Sequence, residues 1–168
     1  YEVYLNKYDV ICLDISLFIS KASDICDVVK DINNAVVEEV QETYPDIRKD
    51  HTLADTLFRV TQETGNKFIM IIDEWDALFR EAKDDEKLQK EYIDLLRSLF
   101  KSSWTDVIFE AAYMTGILPI KKYGNQSAVS DFREYTMLSP GNLVRYIGFT
   151  EPEVLELCKR YHVDFEQM

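Results

Sequence analysis

The feature that most constrains the fold of this chain is residues 67–76, which read KFIMIIDEWD. The apolar run 68–72 is followed within four positions by three acidic residues, Asp73, Glu74 and Asp76. A short, unbroken apolar run rich in isoleucine is typical of a strand buried on both faces, as in a parallel sheet covered by helices. Ligands of open α/β sheets bind beyond the carboxyl ends of the strands. The acids are therefore expected at a binding edge.

Four apolar residues followed by Asp-Glu form the Walker B signature of nucleoside triphosphatases. Adjacent carboxylates are costly unless a positive group binds to them, and a magnesium–phosphate group commonly does so. In this interpretation Asp73 holds Mg²⁺ through water and Glu74 orients or activates the attacking water. Asp76 is a weaker candidate metal ligand. The alternative is a strand that ends in a polar turn, with the acids at the start of a helix.

Strand and helix patterns alternate along the rest of the chain. Asp14, near the end of the first predicted strand, is expected to cap or turn the chain, and Pro45 is expected to stop the first long helix. The alternation predicts crossover connections and an α/β fold, a three-layer αβα sandwich with a mostly parallel sheet. The predicted strands are 8–15, 68–72, 106–115 and 134–138. The predicted helices are 25–44, capped by Ser23 or Asp24, and 51–64, 88–100, 142–147 and 151–161. Residues 80–87 are expected to be a solvated loop or a frayed helix.

A triphosphatase also needs a phosphate-binding loop, usually G-x-x-x-x-G-K-[ST]. None of the five glycines in the sequence is followed by lysine, so this motif is absent from these residues. Thr115 ends the predicted strand that follows the acid run, and neighbouring parallel strands end at the same edge. Its hydroxyl is therefore a candidate contact for the γ-phosphate or the attacking water, although it also fits a turn before Gly116. Lys121 and Lys122 are weaker candidates for contacts with phosphate, and Arg133 is a weaker candidate for a trans-acting arginine in an oligomer.

The net charge of −12 argues against a general binder of nucleic-acid backbones, which needs a basic surface. It does not exclude ATP, because one phosphate site needs only a few local donors. The three cysteines are widely spaced and fit neither a disulfide framework nor a zinc site, which favours a reducing cytoplasm. Cys12 and Cys26 have apolar neighbours and are expected in the core. No apolar run is long enough to span a membrane.

Four segments together resemble the AAA-ATPase-like family, a STAND-like branch of the P-loop ATPases of bacteria and archaea. They are NKYDVI at 6–11 with the Leu-Asp pair at 13–14, IIDEWD at 71–76, YMTGI at 113–117, and GFT at 148–150 followed by Glu153. They occur in the family's order and cover almost the whole chain. The Asp-Glu-aromatic-Asp and Thr-Gly-Ile segments are the most specific as a pair.

The resemblance implies ATP as the bound nucleotide, with Mg²⁺. It also implies roles for Asp73 as the magnesium acid, Glu74 as the catalytic base and Thr115 as the sensor residue. In the family the P-loop lies upstream of the strand at Tyr8, so the expectation is a fragment that lacks the central first strand and the P-loop and is inactive alone. The expected domains are an ATPase core over 1–148 and the start of a helical lid over 149–168. A further nuclease-like domain, which many members carry, cannot be transferred to this chain.

Two other interpretations compete with the ATPase. A helicase-type protein also uses Asp-Glu-x-Asp, but it expects a Ser-Ala-Thr-like motif on the next strand, where this chain has Thr115-Gly116-Ile117. A non-catalytic, doubly wound binding or regulatory module would use the acids to bind magnesium or to cap a helix. The upstream coding sequence discriminates between that module and the ATPase. An oligomer or a protein partner is possible in either case.

Overall fold

The computed structural model describes residues 2–48, 50, 52–118, 131–146 and 148–167. The chain divides into two compact units, Tyr1–Phe132 and Arg133–Met168. The division into an ATPase core over 1–148 and a lid over 149–168 concerns function and stays a prediction.

The first unit is built on a parallel sheet of three strands. These are β1 (Asp9–Asp14), β2 (Phe68–Asp73) and β3 (Phe109–Met114), in the order β1-β2-β3. In register, Asp14 pairs with Asp73 and Ile72 pairs with Met114. The carboxyl ends of all three strands therefore lie along one edge, which is the edge that carries the acid run.

Two crossovers connect these strands. The first contains α1 (Ile15–Lys21), α2 (Val28–Thr43) and α3 (Leu53–Thr64), and the second contains α4 (Ala77–Glu81), α5 (Glu86–Phe100) and α6 (Thr105–Ile108). Both crossovers step across the sheet in the same direction. Because such crossovers are right-handed in nearly all proteins, both sets of helices are expected on the same face.

Burial along the central strand agrees with this arrangement. Phe68, Met70 and Ile72 of β2 are buried, whereas the alternate residues Ile69 and Ile71 are half-buried. The fold is α/β, as predicted, and is consistent with an αβα sandwich. Phe68, Met70 and Ile72 belong to the same core cluster as the buried residues of the crossover helices.

Capping interactions define several element boundaries, and the cap predicted at Asp14 is one of them. Asp14 caps α1, because its carboxylate accepts a hydrogen bond from the Leu17 amide. Thr52 caps α3 through the Asp55 amide, and Gly65 ends that helix in the left-handed conformation at φ 76°. These positions depend on neighbouring residues only, which is why the sequence indicates them.

Three predictions within this unit are wrong in part. The helix predicted over 25–44 begins as a separate 3₁₀ turn, Ile25–Asp27, before α2. The strand predicted over 106–115 starts only at Phe109, because α6 occupies the preceding residues and buries Ile108. Residues 80–87 are not one solvated loop, since α4 covers 80–81 and α5 begins at 86.

The cysteine prediction is also wrong for two positions. Cys12 and Cys26 are exposed, and neither forms a disulfide. Cys12 lies on β1, an edge strand, opposite the half-buried Ile71 and therefore on the less covered face of the sheet. Cys26 lies in the 3₁₀ turn before α2, outside the core. Among the described residues, no helix is both long enough and apolar enough to cross a bilayer.

The second unit contains a 3₁₀ helix, Gly141–Arg145, and one α-helix, α7 (Glu151–Tyr161). The strand predicted over 134–138 is wrong for these described residues, where a tight turn closed by a bridge between Thr136 and Ser139 is found instead. A capping box starts α7, because the Thr150 amide donates to Glu153 at 2.7 Å. That hydrogen bond and the one from the Thr150 hydroxyl lower the pKa of Glu153.

Candidate functional site

Asp73 and Thr115 meet at the carboxyl edge of the sheet. Asp73 ends β2, and its Oδ1 accepts a hydrogen bond from the Thr115 hydroxyl and another, 3.1 Å long, from the Glu74 amide. The Thr115 amide donates to the Ile72 carbonyl at 2.9 Å, and the Trp75 amide donates to the Thr115 carbonyl at 2.9 Å. The segments that follow β2 and β3 are therefore held together by both backbone and side-chain hydrogen bonds.

Glu74 has an unusual backbone conformation. Its φ of 52° lies in the left-handed region, which is unfavourable for a residue with a Cβ and is found most often in turns and functional sites. Its side-chain Oε2 accepts a hydrogen bond from the Ser16 hydroxyl at 3.0 Å and pairs with Arg80 Nη2. The carboxylate is thus held from two helices, α1 and α4.

Arg80 bridges two carboxylates. While its Nη2 contacts Glu74, its Nε lies 3.2 Å from Oδ2 of Asp76, at ion-pair distance but without the alignment of a hydrogen bond. The hydrogen bond to Glu74 raises the pKa of Arg80, and the charge of Asp76 acts in the same direction. The guanidinium therefore stays positive while it lies between the two acids.

Asp76 differs from the other two acids in being completely buried, with 0% of its surface exposed. Its Oδ1 accepts a hydrogen bond from the Ile117 amide at 3.2 Å, and its Oδ2 accepts one from the Leu118 amide at 3.0 Å. Both oxygens are thus engaged by the segment that follows β3. A Cβ at Gly116 would lie 2.5 Å from Asp76 Oδ1 and 2.6 Å from Trp75 Cδ1, so this close approach requires glycine.

Aromatic residues pack near this acid. The Trp75 ring packs edge-on against Phe79, and Phe79 packs against Tyr92, with ring centroids 5.6 and 5.9 Å apart. The Tyr92 hydroxyl is buried and has no hydrogen-bond partner among the described residues. Burial, and to a lesser extent the negative charge of Asp76, raises the pKa of Tyr92.

The structure brings together Asp73, Glu74 and Thr115, as the argument from strand ends predicts. It also adds Ser16 and Arg80, which sequence reasoning missed. Ser16 follows Asp14 by two positions, at the end of a neighbouring strand, and Arg80 follows Asp76 by four. Both spacings could have indicated that these residues lie near the acids. Each was weak, because a serine at a helix start and a charged i,i+4 pair are common.

The remaining candidate residues are Lys121, Lys122 and Arg133. Lys121 and Lys122 fall outside the described residues. Arg133 belongs to the second unit, where its guanidinium lies 5.2 Å from the centroid of the Tyr135 ring. The contact of either lysine with phosphate stays a prediction, as does a trans-acting role for Arg133.

The arrangement at Asp73 fits a magnesium ion that carries phosphate. Across the described ranges, no group of three or more His, Cys, Asp or Glu side chains is placed to hold a metal ion. Mg²⁺ in phosphoryl-transfer sites, however, is commonly held by one or two carboxylates, substrate phosphates and water. Asp73 is exposed and lies beside the Thr115 hydroxyl, so it can serve as such a single carboxylate.

These features define a class of protein: an α/β domain with a parallel sheet and an acid pair at its carboxyl edge. A family model described as predicted AAA-ATPase matches residues 2–125. The match covers most of the chain, so the chain belongs to the AAA-ATPase-like family, and the resemblance noted from its motifs is confirmed. No curated protein and no solved structure matches it.

Proposed function

We propose that this chain carries the magnesium-binding and water-activating half of an ATP-hydrolysing site. The observation that carries the proposal is the convergence of Asp73, Glu74 and Thr115 at one edge of the parallel sheet, in a chain of the AAA-ATPase-like family. In this proposal Asp73 holds Mg²⁺ through water, and the Thr115 hydroxyl senses the γ-phosphate. When bound, the ion would neutralise charge on the phosphates.

Glu74 is the proposed base. It orients a water molecule in line with the γ-phosphate, and the water oxygen bonds to phosphorus as the bond between phosphorus and the β–γ bridging oxygen breaks. The proton of the water passes to the Glu74 carboxylate, and ADP leaves with the electron pair of the broken bond. The left-handed backbone at Glu74 supports this role, because strain of this kind occurs preferentially at functional sites.

The phosphate-binding loop is the part of the site that these residues do not contain. No glycine in the sequence precedes lysine, so we propose that residues outside this sequence supply the loop and that this chain alone is inactive. The same absence favours the second candidate, a non-catalytic α/β module that binds nucleotide or a regulator without hydrolysis. The two candidates differ in whether the complete natural polypeptide turns ATP over.

The test is Glu74→Gln in the complete natural polypeptide. The substitution keeps the size of the side chain but removes the base, so ATP hydrolysis is expected to fall by at least about 100-fold while Mg·ATP remains bound. Phosphate release measures turnover, and a fluorescent ATP analogue measures binding. Glu110→Gln is the matched control, since Glu110 is an exposed acid of β3 paired with Lys67 at 3.4 Å.

Two outcomes would count against the ATPase. Turnover that survives Glu74→Gln would refute the role of Glu74. A wild-type polypeptide that binds Mg·ATP without releasing phosphate would favour the non-catalytic module.

A further inference from the structure

We propose that Arg80 is a positioning residue for the proposed base, Glu74, and that the buried Asp76 in turn orients Arg80. This inference rests on the function proposed above and extends it to two residues that need not touch the nucleotide. Arg80 acts through the Glu74 carboxylate, and Asp76 acts through Arg80.

The contacts form a continuous chain from the core to the site edge. The Ile117 and Leu118 amides donate to Asp76, Asp76 lies 3.2 Å from Arg80 Nε, and Arg80 Nη2 contacts Glu74 Oε2. Asp76 is fully buried and cannot move without breaking two backbone hydrogen bonds. The guanidinium is planar and rigid, so anchoring Nε also restricts where Nη2 can lie.

An ordinary surface ion pair would not restrain a side chain in this way. Exposed pairs contribute little, because solvent screens them and both side chains lose rotamer freedom. Arg80, by contrast, has a side chain only 26% exposed and contacts one partner that is wholly buried. Its position is therefore determined from inside the protein, and Glu74 is held against a fixed group.

The contact also selects which oxygen of Glu74 can act. Arg80 and the Ser16 hydroxyl both engage Oε2. This arrangement leaves Oε1 as the oxygen that can accept a proton from water. A base held in one orientation reacts faster than a mobile one, and a displacement of about 1 Å can lower the rate about 100-fold. Arg80 is thus expected to affect the chemical step more than nucleotide binding.

The experiment compares Arg80→Ala, Arg80→Lys and Arg59→Ala in the complete natural polypeptide with Mg·ATP. Arg80→Ala is expected to lower kcat about 10- to 100-fold while the Kd for Mg·ATP changes less than about twofold. Arg80→Lys is expected to recover part of kcat, because an ammonium can pair with Glu74 but cannot also bridge to Asp76. Arg59→Ala is the control. Arg59 lies on α3 and pairs with Asp50 at 2.7 Å, so this variant should leave both kcat and Kd unchanged.

Unchanged kcat in Arg80→Ala would overturn the proposal. So would an equal loss of kcat and binding accompanied by a lower Tm, because that pattern indicates a structural role only. If Arg80→Ala does not fold, Arg80→Lys decides: reduced kcat with unchanged Kd supports positioning, and wild-type kcat overturns it. Failure of the ATPase function is separately visible, because the wild type would then release no phosphate or Glu74→Gln would keep its turnover.

Discussion

Asp73 and Asp76 belong to the same four-residue acid run but occupy opposite environments. Asp73 lies at the exposed end of β2, where its Oδ1 accepts hydrogen bonds from Thr115 and Glu74. Asp76 is entirely buried, and its oxygens accept two backbone amides and face Arg80. A motif treats such acids as equivalent members of one signature. The structure separates an acid available to a ligand from an acid that holds two segments together.

The difference follows from where the chain turns. β2 ends at Asp73, and α4 begins at Ala77 immediately after Asp76. The turn directs Asp76 inward, toward Ile117 and Leu118, while Asp73 stays at the strand end. A carboxylate can remain buried only when donors or a paired charge replace its water, and here two amides donate hydrogen bonds and the Arg80 guanidinium supplies the charge.

Asp76→Ala is expected to have the largest effect on stability. It leaves the Ile117 and Leu118 amides without their acceptor and Arg80 Nε without its buried ion-pair partner. Breaking a buried pair in this way costs about 3–5 kcal/mol. Asp73→Ala is the matched control, and it should change the free energy of unfolding by less than about 1 kcal/mol because water can replace an exposed carboxylate. Urea denaturation of both variants measures the difference. Equal losses would remove the distinction between the two acids.

Gly116→Ala is expected to come next, with a loss of about 1–3 kcal/mol. The added Cβ would lie 2.5 Å from Asp76 Oδ1 and within 2.7 Å of two Trp75 atoms, so the segment after β3 must move away from the buried acid. At Gly65 an added Cβ meets nothing within 4 Å, and only its φ of 76° opposes alanine. Gly65→Ala is therefore expected to cost about 1 kcal/mol. The Tm values of Gly116→Ala and Gly65→Ala measure the difference. A Gly116→Ala variant as stable as wild type would contradict the close approach of Gly116 to Asp76.

Tyr92→Phe is expected to have the smallest effect, a change between zero and a gain of about 1 kcal/mol, because it removes a buried hydroxyl that lacks a partner in the described structure. Tyr44→Phe is the control, and it should cost about 1 kcal/mol because the Tyr44 hydroxyl donates to Asp9.

Tyr92→Phe should also change how the stability of the protein depends on pH. Burial raises the pKa of Tyr92, so the folded state keeps its proton at a pH where the unfolded chain, with a pKa near 10, loses it. Wild-type stability should therefore fall relative to Tyr92→Phe as the pH rises above about 10, and the two should run parallel at lower pH. Parallel behaviour throughout would show that Tyr92 titrates as freely as in the unfolded chain.

Much of the fold follows from local sequence patterns. The apolar run before Asp73 predicts β2, and Asp14 caps α1 as expected, because strand burial and helix capping depend on residues close in the chain. The short fourth strand over 134–138 fails for a related reason. A strand needs a partner to complete its hydrogen bonds, and apolar content alone cannot show whether one is present.

The site divides in the same way. The acid run can be read from the sequence, and the rule that parallel strands end at a common edge predicts that Asp73, Glu74 and Thr115 meet. The folded chain alone shows that Ser16, 58 positions away, reaches Glu74 and that Asp76 is buried against Gly116. Those contacts depend on the register between strands and on how a turn directs one side chain. Neither is encoded in the spacing of residues along the chain.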